Sequence, residues 1–172
     1  MKKISAFCIS GFIALGFSMS LHAQSSQQDL DQVELMKQFI GEWKHDSGND
    51  TVSYISYSPY GKGYLFKAKW QANGETYNEA QGIIGYANSY KRINMFFLWQ
   101  EGTMARDLGQ FDTQDKLVMK RRNANFEVNF AIWEWTFLTP DKAKFVYKRR
   151  KWSDENWDNA TITESIFERV KK

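Results

Sequence analysis

The residues most able to do chemistry are few, and they begin with one histidine. His45 is the single histidine after residue 23, and Asp46 and Asp50 follow it closely. A histidine beside a carboxylate is typical of general acid–base catalysis, so an enzyme using His45, Asp46 or Asp107 is one hypothesis. The simpler interpretation is a strand histidine with no catalytic role. Because residues 24–172 hold one histidine and no cysteine, they do not match the usual zinc ligand sets, and we predict neither a metal nor another cofactor.

Arginines within apolar segments offer a second kind of site. Asp107 and Arg106 lie in a mostly apolar stretch, and strict alternation would put Arg106 on its apolar face. Arg121 and Arg149 are in phase with apolar neighbours in the same way. An interior guanidinium can recognise an acidic group, and Arg106 and Arg149 are our better candidates for that role. The alternative is that these side chains extend from strand ends into water.

Two basic clusters raise the question of an anionic partner. Lys120–Arg122 and Lys148–Lys151 are interleaved with aromatic residues, so the second cluster could dock to another protein or an anionic surface. Removal of residues 1–23 would take two lysines and no acid, leaving 21 basic against 20 acidic residues. With so little net charge, we predict no nucleic-acid partner.

The first residues resemble a targeting segment rather than part of a fold. Lys2 and Lys3 precede an apolar run over 4–21, and Ala23 precedes the polar linker 24–28. This order predicts a cleavable signal peptide over residues 1–23 and a periplasmic or secreted protein. Cleavage would remove the only cysteine, Cys8, and leave no stable membrane span. The alternative is an uncleaved anchor, since the run approaches membrane length.

The elements that must position these residues are one helix and many strands. Apolar residues at three-to-four spacing predict a helix over 29–40, with Asp29 as N-cap and Gly41 at its end. From Trp43 the period becomes two, and turn signals such as Asn73-Gly74 separate short aromatic-rich segments. One segment, 126–137, changes its apolar face midway and predicts a bulge there. We therefore predict an all-β fold, an up-and-down antiparallel barrel of about eight to ten strands, because closure removes exposed edges.

Two short motifs carry a family resemblance. Gly41-Glu42-Trp43 follows the helix, and Phe167-Glu168-Arg169 closes the last predicted strand. In this layout residues 29–172 resemble lipocalin-like secreted bacterial proteins of the calycin superfamily. The resemblance implies that Arg169 lies over the Trp43 ring and closes the barrel, an arrangement worth about 0.5–2 kcal/mol.

The predicted function follows from the predicted interior. We expect non-catalytic binding of a small apolar or amphipathic molecule, in some cases an acidic one, inside the barrel. The expected apolar contacts are Tyr64, Phe66, Trp70, Phe97 and Trp99. Arg106 or Arg149 would orient an acidic group. The alternative is that the large aromatic side chains simply fill the interior.

Overall fold

A computed structural model describes residues 30–123, 129–151 and 156–171, and for Arg122, Asn123 and Asn129 only the backbone. The predicted signal peptide, the linker over 24–28 and the expected N-cap Asp29 lie outside the described residues. Among the described residues, no helix has the length and apolar character needed to cross a membrane.

The N-terminal helix is shorter and tighter than its sequence pattern predicts. α1 spans Gln32–Leu35, and one 3₁₀ turn, Met36–Phe39, continues it. Its N-cap is Asp31, whose Oδ1 accepts hydrogen bonds from two backbone N–H groups at 3.0 and 3.1 Å. Met36 and Phe39 are buried because residues three apart share a face of a 3₁₀ turn. Val33 and Ile40, which belong to the three-to-four apolar spacing of this segment, are exposed.

Ten antiparallel strands make up the rest of the described fold. Each strand pairs with its sequence neighbours, and β1 pairs with β10 to close the barrel. The all-β, up-and-down prediction is confirmed. The strands are β1 Gly41–Gly48, β2 Thr51–Tyr60, β3 Gly63–Ala72, β4 Glu75–Ala87, β5 Arg92–Trp99, β6 Met104–Phe111, β7 Lys116–Asn123, β8 Asn129–Thr139, β9 Lys142–Lys151 and β10 Thr161–Arg169.

Strand β8 alternates without the predicted bulge. Its inward residues are Ala131, Trp133, Trp135 and Phe137, and all four are buried. Its pairing with β9 stays in register until Phe137 and shifts only at the strand end. The predicted bulge was wrong because the outward face also carries apolar residues, so apolar identity alone did not mark the inward face.

The helical segment plugs one end of the barrel. The Phe39 ring lies 4.8–6.2 Å, centroid to centroid, from four rings of the barrel wall. The side-chain amide of Gln32 donates to the carbonyl of Phe111 at 3.2 Å and accepts from its N–H at 2.7 Å. These two bonds replace the ladder bonds that the end of β6 lacks. The opposite end, where β1 meets β2, is the open end.

The β1–β10 seam is held by Arg169. Trp43 is fully buried and paired with Arg169 in register, and the guanidinium carbon lies 4.2 Å from the Trp43 ring centroid. The guanidinium also donates to the backbone carbonyls of Pro140, Ile40 and Gln38. The stacking implied by the family resemblance is therefore present.

Gly41 permits this arrangement for two reasons. Its φ is +118°, which L side chains rarely adopt, and an added Cβ would lie 2.9 Å from Nη1 of Arg169. A side chain at position 41 would therefore strain the backbone and push the guanidinium off the indole.

Candidate functional site

A cavity of about 580 Å³ lies inside the barrel, between the plug and the open end. This volume is within the range of small-molecule pockets, roughly 300–1,000 Å³. Much of its wall is aromatic, including Phe66, Trp70, Phe97, Trp99, Trp135 and Phe145. The large aromatic side chains therefore do not fill the interior.

Four of the five aromatic residues predicted to contact a ligand line the cavity. They are Phe66, Trp70, Phe97 and Trp99. The Trp70 and Trp99 rings stack with centroids 5.2 Å apart, near the open end. Tyr64 also packs against the core but is not part of the cavity wall, because it begins β3 beside the plugged end. Burial raises the pKa of its hydroxyl.

Arg106 is on the wrong face for the role predicted for it. Its guanidinium lies on the outer surface, over the rings of Tyr90 and Phe96 at 5.2 and 5.0 Å, and donates to Oδ1 of Asn94. The inward residues of β6 are instead Ala105, Asp107, Gly109 and Phe111. The interior placement failed because the apolar neighbours of Arg106 belong to an apolar patch outside the barrel.

Arg149 is on the inward face of β9, and the residue is exposed. It faces inward at the open end and lines the cavity. Within the described part of the chain it makes no salt bridge, unlike its neighbour Lys148, which pairs with Glu134 at 3.1 Å. A cation at the mouth without an acidic partner can bind an acidic group of a ligand.

The most ordered polar feature of the cavity wall is a group of four side chains, which we call the inner polar cluster: Asp107, Arg121, Trp133 and Tyr147. Asp107 is fully buried. Its Oδ1 accepts from Nε of Arg121 at 3.1 Å, and its Oδ2 accepts from Nη2 of Arg121 at 3.3 Å. Oδ2 also accepts from Nε1 of Trp133 at 2.6 Å. Three hydrogen bonds, two of them from a cation, offset the cost of burying this carboxylate.

Arg121 connects the buried carboxylate to the cavity. Its side chain is 15% exposed, and Nη1 donates to the Tyr147 hydroxyl at 3.3 Å. Burial acts to lower the pKa of Arg121, but the charge and hydrogen bonds of Asp107 outweigh it, so the pKa is raised. The guanidinium and carboxylate therefore form an ion pair within the wall.

The sequence held a signal for this pair. Asp107 and Arg121 are directly opposite across the β6–β7 hairpin. The turn signals over 112–115 mark the centre of that hairpin, and counting outward from it places the two residues together. Trp133 and Tyr147 carried no comparable signal, because their positions depend on the pairing of more distant strands.

His45 has a structural contact that limits its chemistry. Its Nδ1 lies 2.8 Å from the carbonyl of Ile166, and because a carbonyl only accepts, Nδ1 carries the proton. Backbone pairing of β1 with β10 covers only the positions of Trp43 and Lys44, so this bond extends the seam toward the open end. His45 also lines the cavity.

A His45–Asp46 pair is not formed. Asp46 is exposed, and a hydrogen bond from the Gly48 N–H lowers the pKa of its carboxyl. Asp107 lines the cavity with His45, but both its oxygens are already engaged. Among the described residues, no group of three or more His, Cys, Asp or Glu side chains could hold a metal ion.

The basic strand at 148–151 does not form a coherent positive face. Lys148 and Lys116 both pair with Glu134, at 3.1 and 2.8 Å, and Arg149 faces the cavity. Alternation sends consecutive residues of a strand to opposite faces, which divides the cluster. The partner-docking hypothesis gains no support from this strand.

No protein-family model matches this chain, and no curated protein matches it significantly. The closed ten-stranded antiparallel barrel agrees with a calycin-like architecture. That agreement concerns the fold alone.

Proposed function

We propose that the barrel binds a small apolar or amphipathic molecule without transforming it. One observation carries this proposal: the cavity is closed at one end, open at the other and lined by aromatic side chains with a few convergent polar groups. Such a combination is the usual form of a small-molecule site.

The cavity suits an amphipathic ligand along its whole depth. Phe66, Phe97 and Phe145 offer apolar contact, worth about 25 cal/mol per Å² of buried surface. Arg121 and Tyr147 offer hydrogen bonds partway along the wall. Arg149 at the mouth would orient an acidic group on ligands that carry one. The enzyme alternative has less support, because Asp107 is already bound to a cation.

Blocking the cavity tests the proposal. Ser53 is inward on β2 and lines the cavity, whereas Ser56 faces outward three residues further on. Ser53→Trp would place an indole inside the barrel, and Ser56→Trp is the matched control. Binding of decanol is measured by its displacement of the uncharged dye N-phenyl-naphthylamine. The wild type and the control should both bind decanol. We expect Ser53→Trp to bind at least about tenfold more weakly. Equal binding by both variants, or no binding by any, would contradict the proposal.

We also propose that the mature protein begins after Ala23 and acts in the periplasm or outside the cell. The order of charged, apolar and small residues in 1–23 supports this. Mass measurement of the protein recovered from a secreting bacterial host tests it. A product lacking 23 residues is expected. A full-length product in the membrane fraction would instead indicate an uncleaved anchor.

A further inference from the structure

The charge of the inner polar cluster indicates which polar group the ligand carries. We propose that this part of the cavity selects an uncharged oxygen acceptor, such as a carbonyl, ester or hydroxyl, over a carboxylate. The inference rests on the proposed binding function, because it concerns the ligand of the same cavity.

The first step is the count of free donors. Three of the five N–H groups of Arg121 have acceptors: Nε and Nη2 bond Asp107, and Nη1 bonds the Tyr147 hydroxyl. The other two have no acceptor among the described residues. The Tyr147 hydroxyl accepts from Arg121, which leaves its own proton for another partner. A ligand oxygen beside Arg121 and Tyr147 would therefore meet the two remaining guanidinium N–H groups and the hydroxyl proton as donors.

The second step is the charge. Asp107 is completely buried, and its carboxylate takes Arg121 side-on through two bonds of 3.1 and 3.3 Å. The guanidinium is thus already neutralised by a buried carboxylate of the same cavity wall. A ligand carboxylate would be attracted by Arg121 and repelled by Asp107, with no net charge to offset its loss of water. An uncharged acceptor gains the hydrogen bonds without that cost.

The third step excludes another cation at the same depth. Ser53 and Ser165, which also line the cavity, carry no charge, and the Nδ1 proton of His45 is engaged by a backbone carbonyl. Arg149 is the remaining cation of the described cavity wall, and it lies at the mouth. A ligand carboxylate is therefore favoured only beside Arg149 at the open end. Removing that charge with Arg149→Gln leaves the inner polar cluster to decide the preference.

The test compares decanol with decanoate by calorimetry, at mildly alkaline pH, in the full chain carrying Arg149→Gln. Decanol should bind about tenfold more tightly or better. Adding Asp107→Asn leaves Arg121 unneutralised and should reverse the preference by at least about tenfold. Asp107→Asn together with Arg121→Gln removes both charges and should restore the preference for decanol. Asp46→Asn, the same substitution at an exposed site, should change nothing.

The outcomes distinguish this inference from the proposed function. If neither compound binds the wild type or any variant, both fail. If both bind but decanoate binds as tightly as decanol in Arg149→Gln, the neutral cluster is refuted while the cavity stands. This comparison does not need Asp107→Asn to fold, and the doubly substituted variant carries no unpaired buried charge. A preference for decanol that Asp107→Asn leaves unchanged would also refute the inference.

Discussion

Removing the Arg169 side chain should weaken the barrel at its seam. The guanidinium lies 4.2 Å from the Trp43 ring centroid and donates to three backbone carbonyls. The cation–π contact is worth about 1 kcal/mol at a partly exposed site. The three hydrogen bonds add about 1 kcal/mol each at most, less where water replaces them. We expect Arg169→Ala to lower the free energy of unfolding by about 2–4 kcal/mol.

The assay is urea unfolding followed by tryptophan fluorescence and circular dichroism. Arg169→Lys keeps the charge but not the planar fork, so it should lose about half as much. Lys142→Ala is the control, because Lys142 forms only an exposed salt bridge, 3.5 Å from Glu168, the residue before Arg169. It should cost less than about 0.5 kcal/mol. A loss below about 0.5 kcal/mol for Arg169→Ala would refute the seam as we describe it.

Three further predictions concern the seam, the plug and the outer face. Gly41→Ala should lower the free energy of unfolding in urea by about 1–3 kcal/mol. Gly48→Ala should lower it less, because Gly48 has an unfavourable φ of +76° but a Cβ there would have no atom within 4 Å. Equal losses for the two variants would count against the steric argument. Gln32→Leu breaks two hydrogen bonds to the end of β6 and should lower the stability measured by thermal unfolding by about 1–2 kcal/mol. Gln38→Leu breaks one exposed hydrogen bond and should lower it less. A larger loss for Gln38→Leu would contradict the role of Gln32 in the plug. Burial acts to raise the pKa of the Glu134 carboxyl, but hydrogen bonds from two lysines lower it by more. The pKa is therefore below its ordinary value. Its contribution is therefore present above the ordinary carboxyl pKa and lost as the pH falls through the lowered value. Unfolding of Glu134→Gln across a pH series should converge with the wild type in acid, and a gap that persists there would contradict this sign.

Much of the architecture was predictable because the strand periodicity, the turn residues and the closure motifs all indicated the same fold. Alternation marked the strands, Asn73-Gly74 marked a tight hairpin, and Gly41, Trp43 and Arg169 marked the closure. These features depend on local geometry or on one contact between the two ends of the chain.

The faces of individual strands were harder to predict. In β6 the inward face carries Asp107, whose burial is possible only because Arg121 and Trp133 reach it from other strands. The outward face carries Arg106 among apolar residues, because the guanidinium lies over exposed aromatic rings. The sequence of β6 taken alone therefore predicts that its outward face is the inward one. The short helix was predicted, but not that its last turn tightens to 3₁₀ and places Phe39 in the plug.

The central claim is that the barrel interior receives a ligand, and a crystal structure with bromodecanol tests it most directly. Anomalous scattering locates the bromine without reference to the protein's own density. We predict a bromine site inside the barrel, with the hydroxyl near Arg121 and Tyr147. Bromine found only on the outer surface, or an interior with no bromine at a saturating concentration, would contradict the account.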